Sequence, residues 1–147
     1  MEERIGLDLR EADCRIDPPG IEQGYFSYRS GLEAAEKLID ASPRPTAIFA
    51  SNDDMAAAAV SVAHRRGLDV PRDLSVVGFD DSAIATTVWP ELTTIRQPIA
   101  AMAEAALDLL IRKIRNRRDG ESMAAVDRLV AHELVIRQSA AVPPAAD

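Results

Sequence analysis

Short apolar runs alternate with longer segments of helical periodicity along this chain. Three apolar runs are short enough to be strands, and they cover residues 46–50, 74–79 and 92–96. Three longer segments repeat apolar residues every three or four positions, as one face of a helix does, and they cover residues 31–40, 53–66 and 98–118. Ser30 is placed to cap the first of these helices. The alternation predicts an α/β fold, a three-layer sandwich built around a parallel sheet.

Weaker patterns flank these elements. Residues 21–26 are predicted to form a short edge strand, the irregular residues 82–91 a loop, and the partly alternating residues 128–137 one or two strands. The Ala- and Pro-rich residues 140–147 are predicted to be a disordered tail. We therefore assign residues 1–139 to one domain, which suits a chain of 147 residues.

Polar side chains follow two of the predicted strands. Asn52 and Asp53 come after the first strand, and Asp80 and Asp81 come after the second. Because the carboxyl ends of neighbouring parallel strands face one shared cleft, we expect these side chains to converge. Oxygen and amide groups so placed suit a polyhydroxylated small molecule. The alternative is that Asn52 and Asp53 only cap the helix that follows them.

The charge of the chain narrows its partners. A formal net charge of −7 argues against sequence-independent binding to nucleic acid, which needs clustered Lys and Arg. The one sizeable basic run, RKIRNRR at residues 112–118, falls at the end of a predicted helix, where cations complement the helix dipole. No segment reaches the roughly 20 apolar residues of a membrane span, and the N-terminus does not resemble a secretory signal. We therefore predict a cytoplasmic protein without membrane partners.

The paired carboxylates suggest an enzyme as an alternative function. Asp53, Asp54, Asp80 and Asp81 could carry acid–base or Mg²⁺ chemistry on a phosphate ester. Neither a lysine nor a glycine-rich phosphate loop accompanies them. The sequence therefore favours a protein that is not an enzyme and that has no cofactor and no metal site.

Four motifs carry a family resemblance. They read PTAIFASNDDMA, GLDVPRDLSVVGFDD, LTTIRQP and ELVIRQS, and in this order they resemble the effector-binding half of lactose-repressor-type (LacI/GalR) transcriptional regulators. The resemblance implies a periplasmic-binding-protein-like fold, mainly its second lobe. Residues 97–120 would be a crossover strand and helix that normally belong to the other lobe. The resemblance also implies a truncated chain, in which DNA is reached only through a head that this chain lacks.

The resemblance further implies roles for residues around the cleft. Asn52 and Asp80 would contact hydroxyl groups of a sugar-like effector, and Phe26 would stack on the ligand. Gln97 would lie at the crossover near the cleft, and Asp53 would support the ligand site from beside it. The residue-based alternative for Phe26 is a place in the core.

A dimer interface is implied as well. The residues concerned are Trp89, Val88, Met55 and Leu32. For Trp89 the alternatives are an ordinary buried tryptophan or a lid over the cleft. The apolar stripe of residues 98–118 would fold back on its own domain or exchange with a partner chain to give a swapped homodimer.

Together these observations predict an effector-sensing and dimerisation domain of a LacI-type regulator. Two alternatives stay open. One is a soluble sugar-binding component of a transporter, and the other is an oligomerisation fragment that binds no ligand.

Overall fold

A four-stranded sheet forms the centre of the fold. The computed structural model describes residues 20–118 and 126–142. The strands of the sheet are β1 (Ala47–Phe49), β2 (Ser75–Asp80), β3 (Thr93–Arg96) and β4 (Glu133–Val135). They lie in the order β1-β2-β3-β4, with the first three parallel and β4 antiparallel to β3. The carboxyl ends of the three parallel strands therefore meet at one edge.

Three helices accompany the sheet within the described residues. They are α1 (Tyr28–Ile39), α2 (Asp53–Arg65) and α3 (Ile99–Arg118), and a single 3-10 turn covers Ala83–Thr86. The three predicted strands and three predicted helices are confirmed, with ends that differ by up to three residues. The first helix starts earlier than expected, because Ser27 rather than Ser30 is its N-cap and the two serines form a capping box.

Of the two weaker strand predictions, one was wrong and the other is confirmed. Residues 21–25 pair with no strand, so the expected edge strand is not formed. The alternating residues 128–137 supply one strand of three residues, β4.

The start of the expected disordered tail is ordered. Ser139, just before it, is fully buried, and its hydroxyl accepts a hydrogen bond from the Thr93 amide at 2.8 Å. The Ala141 amide donates to the Ser75 hydroxyl at 3.1 Å. These residues lie beside the start of β2 because the Val76 amide donates to the Ser139 carbonyl at 2.7 Å and the Ser75 hydroxyl donates to the Ala141 carbonyl at 3.1 Å. Residues 143–147 of the predicted tail lie outside the described residues.

Small residues let α2 lie close to both of its neighbours. Its alanines, Ala56 to Ala59, are at most 2% exposed. A Cβ atom added at Gly78 of β2 would collide with the Asp53 carboxylate, and one added at Gly31 of α1 would lie 2.7 Å from the Met55 Cα. The two glycines therefore set the distances from α2 to the sheet and to α1, and α2 places its N-terminus at the carboxyl edge of the sheet.

Helix α3 stands apart from this core. Ala105 is its one buried residue, at 8% exposure. Leu109 is half-buried, and the other six large apolar residues are between 39% and 61% exposed: Ile99, Met102, Leu107, Leu110, Ile111 and Ile114. None of the described helices is long and apolar enough to cross a membrane.

Candidate functional site

Two of the predicted ligand residues meet at the carboxyl edge of the sheet. Asp80 ends β2 and is exposed, and Gln97 follows β3 and is half-buried. The Gln97 side-chain amide donates a hydrogen bond to Asp80 Oδ1 at 2.7 Å. The second oxygen of this exposed carboxylate has no hydrogen-bond partner among the described residues, so it can accept a hydroxyl donor.

Asn52 connects this edge to the segment before α1. It is 7% exposed, and its Oδ1 accepts a hydrogen bond from the Met55 amide at 3.0 Å, so it caps α2. Its Nδ2 donates to the Phe26 carbonyl at 3.1 Å. The capping role considered from the sequence is therefore present, and one N–H of the side-chain amide stays available.

Phe26 lies on the surface rather than in the core. Its side chain is 67% exposed, and its backbone has a φ of 54° in the left-handed region. The core alternative for this residue is excluded, and its backbone carbonyl accepts the hydrogen bond from Asn52.

Asp53 lies beneath the edge. It is 1% exposed, and its two oxygens accept hydrogen bonds from the Ser82 amide at 2.7 Å and from the Thr94 hydroxyl at 2.6 Å. Thr94 belongs to β3, so Asp53 ties α2 across β2 to the next strand. Both carboxylate oxygens accept hydrogen bonds from other parts of the fold, which is consistent with the predicted supporting role.

A cluster that the sequence did not reveal lies next to Asp80. The Asp81 side chain is 10% exposed and accepts hydrogen bonds from Arg96 Nε and from Arg137 Nη2, both at 2.6 Å. Arg96 also pairs with Glu133 at 2.9 Å. Burial acts to raise the pKa of Asp81, but the hydrogen bonds from the two arginines outweigh it and lower the pKa. Asp81 is therefore a paired anion rather than a free ligand group.

The signal for this cluster was present in the motifs. Arg96 stands in LTTIRQP and Arg137 in ELVIRQS, each at or after the end of a strand. An arginine at or after the end of a strand can turn inward to a carboxylate, so the two arginines in these motifs were candidates for such a pair.

The backbone at Asp80 and Asp81 is strained. Their φ angles are 118° and 57°, which L-residues adopt rarely. Such conformations cost on the order of 1–3 kcal/mol each and persist where surrounding contacts hold them. Here the contacts are the arginines on Asp81 and the Asp53 carboxylate on the following amide, that of Ser82.

The predicted interface residues differ in exposure. Trp89 is 74% exposed, so it is not an ordinary buried tryptophan. Val88, Met55 and Leu32 are half-buried and pack against the core. Met55 and the start of α1 are in close contact around Gly31. An exposed tryptophan beside half-buried apolar residues stays compatible with the predicted interface.

Comparison with known proteins shows the family to which this chain belongs. Residues 1–140 match the family described as periplasmic binding protein-like domain. The chain belongs to this family. The periplasmic-binding-protein-like domain is 38% identical over 136 residues to the HTH-type transcriptional repressor CytR of Escherichia coli K12. It is 41% identical over 131 residues to the HTH-type transcriptional regulator DegA of Bacillus subtilis 168.

These matches cover most of the domain but a minor part of the relatives. They take in 92% and 89% of this chain, and 39% and 37% of CytR and DegA. The chain therefore spans about two-fifths of the length of these curated relatives.

Solved structures show the same fold. A transcriptional regulator CelR–cellobiose complex superposes with a TM-score of 0.78 at 34% identity, covering 89% of this chain and 39% of that one. A LacI family transcriptional regulator from Bifidobacterium animalis subsp. lactis has a TM-score of 0.79 at 30% identity, covering 97% of this chain and 50% of that one. The predicted resemblance to LacI-type regulators and the predicted fold class are thereby confirmed.

Proposed function

We propose that this domain senses a small, polyhydroxylated effector and dimerises as part of a LacI-type transcriptional regulator. The observation that carries the proposal is the exposed Asp80 carboxylate at the carboxyl edge of a parallel sheet, held by Gln97 and by a strained backbone. The names of the relatives, which are transcriptional repressors and regulators, support it. The cellobiose in a structural neighbour supports the effector class.

The edge offers complementary chemistry for a sugar. Asp80 accepts from hydroxyl groups, and each charge-assisted hydrogen bond contributes roughly 1.5–3 kcal/mol. Gln97 and the free N–H of Asn52 donate to ring or hydroxyl oxygens. The exposed Phe26 ring can cover an apolar sugar face. Asp53 acts from beneath by fixing the Ser82 amide.

DNA contact is assigned to a helix-turn-helix part of the regulator and not to this domain. The net charge of −7 repels the phosphate backbone. The printed names of the relatives as HTH-type proteins support this division of labour. The expected site of action is the cytoplasm.

A ligand screen tests the proposal. We expect one member of a panel containing cellobiose, sucrose, nucleosides and polyols to raise the melting temperature of the wild-type chain. Asp80→Asn keeps the size of the side chain but removes the charge, so it should weaken that binding about tenfold or more in isothermal titration calorimetry. Asp108→Asn is the matched control, because Asp108 is an exposed carboxylate on α3 paired only with Arg112 in the described contacts.

The same experiment separates the alternatives when light scattering is added. A ligand-binding monomer would favour the soluble sugar-binding component of a transporter. A stable dimer that no compound stabilises would favour an oligomerisation fragment. A ligand that binds wild type and Asp80→Asn equally would contradict the assignment of Asp80.

A further inference from the structure

The Asp81 cluster joins chain segments that are distant in sequence. Arg137 is 13% exposed, and besides Asp81 it donates through Nη1 to the Leu92 carbonyl at 2.8 Å. Its backbone amide donates to the Thr93 hydroxyl at 3.0 Å. One arginine after β4 therefore holds the start of β3 and the end of β2 at the same time.

This cluster bears directly on the backbone that carries Asp80. Asp81 is the next residue along the chain, and both have positive φ angles. The arginines fix the Asp81 side chain, and Asp53 fixes the amide that follows it. Without these contacts, the bend at residues 80–82 could relax toward an ordinary conformation, and the Asp80 carboxylate would turn away from Gln97.

We propose that Arg137 and Asp81 form a positioning pair that aims the Asp80 carboxylate at the effector. The proposal rests on the effector-binding function proposed above. Neither residue is required to touch the ligand. Their contribution is to keep the Asp80 carboxylate within the narrow range of positions from which it can accept ligand hydroxyl groups.

The chemistry requires arginine at this position. The planar guanidinium donates in two directions, to a carboxylate and to a carbonyl, from one fixed plane. A lysine ammonium has the same charge but lacks this geometry. Arg137→Lys therefore removes the geometry while keeping the charge, and Asp81→Asn removes the charge while keeping the shape.

The test uses these two variants of the full chain with a matched pair of controls. Arg66 and Asp40 form an ion pair with similar distances, 2.6 and 2.9 Å, at the C-terminal ends of α2 and α1. This pair lies at the opposite end of α2 from Asn52, so Arg66→Lys and Asp40→Asn should leave the site unchanged.

Two signals are measured. The first is the Gln97 side-chain amide resonance of the ligand-free protein in a ¹H–¹⁵N correlation spectrum, which reports the hydrogen bond to Asp80. The second is the affinity for the sugar that stabilises the wild-type chain in the screen. We expect Arg137→Lys and Asp81→Asn to shift the Gln97 resonance and to weaken binding at least fivefold. The control variants should change neither signal.

The outcomes distinguish failure of this inference from failure of the proposed function. An unchanged Gln97 resonance in folded Arg137→Lys protein overturns the positioning role, whether or not a ligand is found. A lowered melting temperature with unchanged affinity also overturns it, since the pair would then be structural only. If no sugar binds the wild-type chain but the Gln97 resonance shifts in both variants, the proposed effector function fails, while the role of the pair in positioning the Asp80 carboxylate stands.

Discussion

Four aspartates near the carboxyl edge of the sheet differ in exposure and in hydrogen-bond partners, and these differences suit them to different roles. Asp53 is 1% exposed and accepts two hydrogen bonds from within the fold, and Asp81, whose side chain is 10% exposed, pairs with two arginines. Asp80 is exposed and accepts only one described hydrogen bond. Asp54, in the first turn of α2, has the favourable position for a negative charge beside the helix dipole. Among Asp53, Asp80 and Asp81, burial and partners leave Asp80 as the carboxylate with an oxygen open to an external ligand.

The lowered pKa of Asp81 predicts how stability depends on pH. Its contribution is present above the unfolded pKa near 3.8 and is lost as the pH falls through the lower folded value. At pH 7 we expect Asp81→Asn to lower the free energy of unfolding by about 1–3 kcal/mol, since it leaves two arginines without their anion. Below pH 3.8 the difference from wild type should shrink. Urea denaturation followed by circular dichroism at several pH values measures it.

Because the prediction concerns the difference in unfolding free energy between wild type and Asp81→Asn, the contributions of other titrating groups cancel. Asp40 and Asp73 also have lowered pKa values, because arginines hydrogen-bond to their carboxylates, and both titrate equally in the two proteins. A difference in unfolding free energy that stayed constant down to pH 2 would show that the ion pairs of Asp81 do not stabilise the fold.

From the sequence, site residues could be predicted only where their position at the end of a strand determines where they lie in the fold. Asp80 and Gln97 follow strands, so parallel topology brings them to one edge, and the structure confirms that they meet. Of the two arginine partners of Asp81, Arg96 follows the same rule because it ends β3, but Arg137 does not. Arg137 is 56 residues away in sequence, and hydrophobic periodicity does not show which way a terminal arginine turns.

At the scale of elements, helix propensity and packing oppose each other at Gly31, where α1 contacts α2. Gly31→Ala would add about 1 kcal/mol of helix propensity to α1. Its new Cβ would lie 2.7 Å from the Met55 Cα and 2.9 Å from the Ala58 Cβ, and backbone cannot move aside cheaply. Overpacking costs about 1–3 kcal/mol beyond ordinary contacts, so we expect a net loss of stability.

Chemical denaturation of the Gly31→Ala protein checks this expectation. The control is Glu104→Ala, at an exposed position in α3, where the change should be small and slightly stabilising. If Gly31→Ala were as stable as wild type or more so, the helices would have room to separate, and the close contact would not be a constraint on the fold.

Element ends were less predictable than element types because local hydrogen bonds decide them. The Ser27–Ser30 capping box begins α1 three residues before the predicted start. The strand predicted over residues 128–137 stops at Val135, since the Arg137 amide donates to the Thr93 side chain instead of continuing the ladder.

At the scale of the whole molecule, apolar surface is distributed unevenly. Six large apolar residues of α3 and the side chain of Trp89 are exposed in the single chain. Groups of exposed large apolar side chains mark interaction sites in soluble proteins. Two modes of association are consistent with these surfaces. One uses Trp89 and its half-buried neighbours, and the other exchanges α3 between chains. Each mode predicts that a different set of residues is required for the dimer.

Substitution at the two surfaces separates the modes of association. Tryptophans at the centre of interfaces commonly contribute 2 kcal/mol or more, so Trp89→Ala should weaken the dimer at least about thirtyfold in sedimentation equilibrium. The control Val142→Ala removes another exposed apolar side chain, 90% exposed, and should leave the dimer unchanged. If the double variant Leu110→Glu and Ile114→Glu abolishes the dimer while Trp89→Ala does not, association occurs by exchange of α3. We expect the opposite result, because Trp89 lies beside residues already fixed by the core, whereas α3 would have to be held in place by the partner alone.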